Sequence, residues 1–323
     1  MAAPNSYNFV VTRDNVITDA LLYINALGEG QSASSAQLSE SARVLNMILK
    51  LRAADIPAFA LRRGTILPTT EVSSVNTNSH VVTTYGTTTI GAAEDSGQTV
   101  ITVDSSSGMS AGDQIGIEMD DNTMHWTTIV SVDDATTITI TTATDDEAAD
   151  GNMVYYYTAS TDRVVRPLRI LDANVMKPSD GSSWEITVDA RSTYFNLGNR
   201  TTAGTPNRIF YDQILGDRTA DPATSTTWYG TFYVYPRFSG GDNVVEFTYQ
   251  EPIQDVDSAS DNLYIPQEFY LAVMMELAGL LGPRNGVSRL ECANILTLAK
   301  LYREEALTTV NEGGSVFLSP DSE

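Results

Sequence analysis

The chain is poor in the residues from which most catalytic and metal sites are built. A single cysteine, Cys292, among 323 residues excludes an intrachain disulfide. It lies in a helical pattern and reads as a small core residue. The two histidines, His80 and His125, stand in no metal-ligand spacing and beside no nucleophile motif. His125 precedes Trp126 in a strand pattern and is read as structural, since a lone histidine names no partner. Basic residues are scarce: 19 Lys and Arg face 41 Asp and Glu, for a net charge of −22. Such a chain is not expected to grip DNA by its phosphates, which needs clustered cations. An acidic wall still lets a polyanion slide past without sticking. The plainer reading of the charge is solubility. No apolar run reaches 18 residues, so no membrane span is expected, and MAAPNSYNFVVTRD has neither the basic start nor the apolar stretch of a secretory signal. Gly28 and Gly30 follow a helix rather than a strand, the wrong context for a dinucleotide fingerprint. No cofactor and no metal are expected.

What is present is a change of period along the chain. The length suggests two or three domains. After Thr12, the positions Val16, Ile17, Ala20, Leu21, Ile24 and Leu27 keep helical spacing until Gly28 and Gly30. Ser34 with Gln37 forms a capping box for a second helix, whose Leu38, Ala42, Leu45, Ile48, Leu49 and Arg52 share a face until Pro57. From about Ala58 to Gln254 the period is two. Helical spacing returns at Pro266, and FYLAVMMELAGLL is apolar nearly all round, so it is expected to be deeply buried until Gly282-Pro283. Ser288 and Glu291 predict a second capping box, and the last helix runs to Gly313-Gly314. The fold class is therefore α+β: a helical bundle from the N- and C-terminal helices, an antiparallel β-sandwich-like middle domain and an inserted small all-β barrel or sandwich. The boundaries are 1–57 plus 263–323, 58–86 plus 158–262, and 87–157.

The insert stands apart in composition. It has no lysine or arginine, and acids crowd its turns. Strands are predicted at Thr99–Val103, Gln114–Glu118, His125–Val130, Thr137–Thr141 and Met153–Tyr157. In the host domain they fall at Trp184–Val188, Arg208–Tyr211, Thr231–Tyr235 and Val244–Tyr249. Gly240-Gly241-Asp242 predicts that the last two form a hairpin, and Gly216–Thr227 reads as an extended polar loop.

Carboxylate groups carry no defined chemistry here. Asp120-Asp121, Asp133-Asp134 and Asp145-Asp146-Glu147 are neighbours on turns, which does not supply the fixed spacing across a cleft that glycoside hydrolysis needs. Asp255, Asp257 and Asp261 resemble a loose calcium loop without its Gly and terminal Glu. An enzyme is not expected; a cell-wall hydrolase is the only catalytic alternative. The clearest surface signal is FYVYPRF at 232–238, which as a strand places Phe232, Val234, Pro236 and Phe238 on one side. Tyr233, Tyr235 and Arg237 fall on the other, to meet either a second layer of the same domain or another chain, since interfaces favour Tyr and Arg.

Several stretches, taken in order, resemble the head-to-tail adaptor (connector) proteins of short-tailed bacteriophages. They are Leu27-Gly28, Gly30 and Ser34-Ser35 followed by Leu45-Asn46-Met47-Ile48-Leu49; RPLRI at 166–170; Tyr194; GTPNRIFYD at 204–212; YVYPRF at 233–238; and LYIPQEFYLAVMMELAGLLG at 263–282. The resemblance extends over the flanks of the insert, about two-thirds of the chain. Two departures stand out: Leu51-Arg52 where the family has a tryptophan, and the 87–157 insert, without counterpart in its smaller members. The resemblance implies a structural virion protein at the head–tail junction, assembled in the host cytoplasm. Its helical domain would form a homo-oligomeric ring, commonly a dodecamer, bound to the portal protein. Its β domain would face the tail and receive a nozzle or tail fibres, and DNA would cross the channel without specific binding. Tyr233, Tyr235 and Arg237 then become candidates for the subunit interface, and the tail residues Val316, Phe317 and Leu318 for portal contact. The alternative from another class is a virion attachment module whose insert binds a fibre or carbohydrate.

Overall fold

A computed structural model of the chain describes residues 9–310 except 29, 57–60, 71, 78 and 214–229. The predicted loop Gly216–Thr227, the Pro57 stop and the tail residues Val316, Phe317 and Leu318 lie outside the described residues. The chain is mixed α+β, with several antiparallel sheets and a C-terminal helical region. Its described helices are α1 (Arg13–Tyr23), α2 (Ser35–Asp55), α3 (Arg191–Phe195), α4 (Tyr270–Leu281) and α5 (Arg289–Val310). Two compact units result: Met1–Ala60 with Ile253–Glu323, and Leu61–Pro252.

The first unit is helical, and its helices begin where capping chemistry starts them. The Thr12 hydroxyl accepts from the Asn15 N–H at 3.4 Å, opening α1. At α2 the box is complete: Ser34 Oγ accepts from the Gln37 N–H, and the Ser34 N–H donates to Gln37 Oε1. Ser288 Oγ accepts from the Glu291 N–H at 3.2 Å at the head of α5. One core joins both chain ends: Ile17, Leu21, Leu45 and Leu49 from the N-terminal pair meet Phe269, Leu277, Leu281 and Ile295. Each such side chain removed from water contributes about 1.5–3 kcal/mol. Residues 253–262, read from the sequence with the β domain, belong here, because Ile253 and Val256 enter this core. The all-round burial expected of α4 is corrected. It packs against α1, α2 and α5, yet Leu271 and Leu280 remain nearly half exposed.

Glu276 of α4 ties three helices together. Arg52 of α2 donates to it through Nε at 2.9 Å and Nη2 at 2.5 Å, and Arg303 of α5 lies 3.8 Å away. The carboxylate is only 12% exposed, so its loss takes the acid from Arg303 and leaves the poorly hydrated Arg52 guanidinium with Asp55 alone, at 3.1 Å. We expect Glu276→Ala to cost about 2–3 kcal/mol and Glu276→Gln less. Urea melts followed by helical circular dichroism will show it; an unchanged midpoint would mean the brace is ornamental.

The described residues of the second unit form three sheets. The five-stranded one runs β11 (Ser183–Glu185), β10 (Arg169–Met176), β15 (Val244–Gln250), β1 (Leu61–Ile66) and β3 (Val81–Val82), all antiparallel. The four-stranded one runs β12 (Thr187–Val188), β13 (Arg208–Asp212), β14 (Thr231–Tyr235) and β2 (Ser74–Asn76), with a parallel pair only at β12–β13. Both feed one core containing Val175, Ile209, Phe232, Val234, Val245, Phe247 and Tyr249. The expected hairpin of β14 and β15 does not form, because the two strands lie in different sheets. Phe232 and Phe247 meet with ring centroids 4.6 Å apart. Gly240 has φ +129°, and the Gly241 N–H donates to the Glu118 carboxylate at 2.7 Å, so the glycines serve a crossing between sheets.

The six-stranded sheet is the insert, in the order β4 (Gly86–Thr89), β9 (Met153–Tyr157), β6 (Gln114–Glu118), β7 (Met124–Val132), β8 (Thr137–Ile140) and β5 (Val100–Thr102). A bridge between Ile90 and Val103 joins residues just beyond its two edge strands. Its core of Ile101, Ile115, Ile117, Ile129, Ile138 and Val154 is its own. The paired acids are taken up by hydrogen bonds within the insert. Asp133 accepts from the Thr139 and Ser131 hydroxyls, and Asp134 from the Thr136 N–H, which holds both carboxyls below their ordinary range. Asp120 accepts from the Ala149 N–H and Asn152.

Candidate functional site

Within β14 the alternation falls as expected, with Phe232 and Val234 buried and Tyr233 and Tyr235 half-buried on the other side. The strand ends at Tyr235, and beyond it Phe238 is buried, whereas Pro236, expected on the buried side, is half-buried like Arg237. The three do not share one role. Tyr233 stacks on Phe210 at 5.7 Å and touches Tyr194 and Phe195, which α3 brings over the sheet. Its ring therefore forms a second layer within the chain. Arg237 donates to the backbone carbonyls of Thr201 and Thr70. Tyr235 lies outside the aromatic cluster. Phe195, 37% exposed, caps that cluster with the Arg191 and Arg200 guanidiniums 5.2 and 5.1 Å from its ring centre. Phe195 and both arginines were not marked by the sequence reading, because α3 is too short to show a period. Tyr233→Ala should cost about 2–3 kcal/mol of folding stability, whereas Tyr235→Ala should leave the melting of the isolated chain nearly unchanged and, on the expectation that Tyr235 meets another chain, would lower the sedimentation of an oligomer. Thermal melts beside sedimentation separate the two; equal melting losses would put Tyr235 in the core as well.

The two histidines, 45 positions apart, converge on one cleft of about 580 Å³ where the insert meets the host sheets. Trp126 stands at its back. Its indole stacks on His80 at 3.8 Å, lies edge-on to Tyr157 and donates to the Pro68 carbonyl at 3.0 Å. A Cβ at Gly116 would come within 2.7 Å of the indole, so only glycine lets the ring cross β6. Burial pushes His80 down to about 4, aided by the positive charge of Arg163. His125 is buried, with Nδ1 2.8 Å from Asp145 Oδ2 and Nε2 3.1 Å from the Thr142 carbonyl. Both nitrogens are thus occupied, and His125 ties the 142–145 turn to β7. Around this joint Leu67, Val82 and Val244 of the host pack on Met124, Tyr155 and Tyr157 of the insert. The cleft also presents Thr69, Thr70, Asn76 and Asp121. It brings together hydroxyls, an amide and carboxylates, a lining suited to neutral hydroxyl-bearing ligands rather than anions.

Among the described residues no group of three or more His, Cys, Asp or Glu is placed to hold a metal ion. In the loose acidic loop, Asp255 pairs with Lys50 at 3.0 Å and Asp261 accepts from the Ser258 N–H. Cys292 is buried and unpaired. No described helix is long and apolar enough to cross a membrane. Neither the models of known protein families nor the curated protein sequences yield a match to this chain.

Proposed function

We propose that the chain is a structural virion protein, a head-to-tail adaptor that forms a ring beneath the portal of a short-tailed bacteriophage. One observation carries the reading: both chain ends share a single hydrophobic core, and the whole β unit is one excursion between them. That arrangement suits a helical bundle that packs side by side in a ring while the separate β unit offers its surfaces to other proteins. The ordered motifs from Leu27 to Gly282 support the same assignment. A ring of identical copies needs heterologous, closing contacts, and Tyr235 remains a candidate for one of them. A channel lined by an acidic chain passes DNA without holding it. Negative-stain microscopy of the protein mixed with portal tests the proposal. A ring of defined rotational symmetry on the portal is expected; separate single particles and no portal binding would end it.

A second reading is favoured by the insert. It carries thirteen carboxylates and no Lys or Arg, more than half of the net charge of the whole chain. It also has its own core and the cleft at its root. On that reading the chain is an attachment module that takes a fibre or a carbohydrate. Deleting 87–157 separates the two. The adaptor reading expects rings to form as before, with only a peripheral partner lost; loss of the ring would favour the attachment module.

A further inference from the structure

Two apolar stripes on the helical unit have no partner among the described residues. On α2, Met47 is 63% and Leu51 54% exposed. On α5, Leu290, Leu298 and Leu301 are 75%, 39% and 56% exposed. Neither helix is short of a buried face: α2 turns Leu45, Ile48 and Leu49 into the core, and α5 turns Cys292, Ile295 and Ala299 inward. The exposed leucines are therefore a second apolar face on a helix that already has one. In an amphipathic surface helix the outward positions are polar.

The two stripes match each other. On α2, the exposed positions Arg43, Met47 and Leu51 are spaced by four and four; on α5, read backwards, Glu305, Leu301 and Leu298 are spaced by four and three. Both are one-face spacings of an α-helix. An antiparallel pairing sets Arg43 against Glu305, Met47 against Leu301 and Leu51 against Leu298. A parallel pairing that keeps Met47 on Leu298 and Leu51 on Leu301 sets Arg43 against Asn294 and Asp55 against Glu305, two like charges, and loses the charge match. Charge agrees. Arg43 is exposed and makes no ion pair among the described residues, and the same holds for the Glu305 carboxylate. The α2 stripe also borders a groove of about 810 Å³ that Leu38, Arg43 and Met47 line, whereas the α5 stripe is a ridge of leucines. Groove and ridge are different surfaces of the same unit, as a head-to-tail contact requires and a two-fold contact does not.

We propose that the α5 ridge of one copy packs antiparallel on the α2 face of the next, with Leu298 and Leu301 against Met47 and Leu51 and an Arg43–Glu305 pair at the end. The inference rests on the ring reading and names the faces that close it. Sedimentation velocity of the full chain, over concentrations rising to millimolar, tests it. Leu301→Asp and Met47→Asp should each reduce the wild-type oligomer to single copies while leaving thermal melting unchanged, because both positions are exposed. Mixing these two variants should give a one-to-one pair and nothing larger, since one intact combination of faces remains. Arg43→Glu and Glu305→Arg should each weaken association by about tenfold, and the double variant should recover it.

Wild-type oligomers that survive both Asp variants would refute this pair of faces and leave the ring standing. A Met47→Asp chain that still dimerises by itself would replace the head-to-tail contact with a two-fold one through α5. A wild type that stays single throughout the range would refute the inference, and with portal added would refute the ring as well.

Discussion

Trp126→Ala is expected to lower the stability of the β unit by about 3–4 kcal/mol, the largest single-residue effect in the insert. The indole loses three things at once: its stack on His80, its edge contact with Tyr157 and its hydrogen bond to the Pro68 carbonyl. Truncation of a large aromatic already costs about 3–5 kcal/mol when the site is enclosed, and Trp126 is half-buried, which sets the lower half of that range. The Pro68 carbonyl adds the cost of an unmade bond. Because His80 and Pro68 belong to the host and Trp126 to the insert, the loss should also loosen the two from each other. Urea melts will show a shifted midpoint, and protease should reach the 66–82 segment faster. Trp184→Ala, at the exposed edge strand β11, is the control and should cost under about 1 kcal/mol. Equal shifts in both variants would strip Trp126 of its special place.

Acid should act on the same joint from the other side. His80 titrates at about 4 in the folded chain against about 6.5 when unfolded. The unfolded chain therefore binds the proton first. This contribution to stability is complete above about pH 6.5 and is lost as the pH falls toward 4, by at most about 3 kcal/mol. The charge that would appear faces Arg163, the Trp126 indole and the Tyr157 hydroxyl. Replacing His80 by Phe keeps a ring on the indole and removes the proton. Its urea midpoint should stay flatter than the wild type between about pH 6.5 and pH 4. Parallel pH profiles for the two chains would assign the acid sensitivity elsewhere.

Local signals were legible in the sequence where their chemistry is local. The Thr12 and Ser34 caps, the ends of β6, β9 and β14 and the glycine turns of the insert each depend on residues within a few positions. Pairing was less legible. Val234 and Val245 carry the same period-two burial whether their strands are neighbours in a sheet or face each other across a core, and here they face. The meeting of His80 with His125 was beyond reach for the same reason: each is a lone residue in its own segment, and only the packing of insert on host brings them together. The double-faced character of α5 was present in the spacing of its leucines. Its meaning depended on which face α4 covers, and a one-dimensional pattern does not choose.

β4 and β9, where the insert begins and ends, are adjacent antiparallel strands, with Gly86 opposite Tyr156. The chain thus leaves the host and returns to it through a doorway one strand wide. A segment so attached adds little to the entropy of closing the surrounding fold, whatever its length. It behaves as a cassette. Its length can change between β4 and β9 without altering the register of the host strands it springs from, as long as the side chains that seal it to the host are kept.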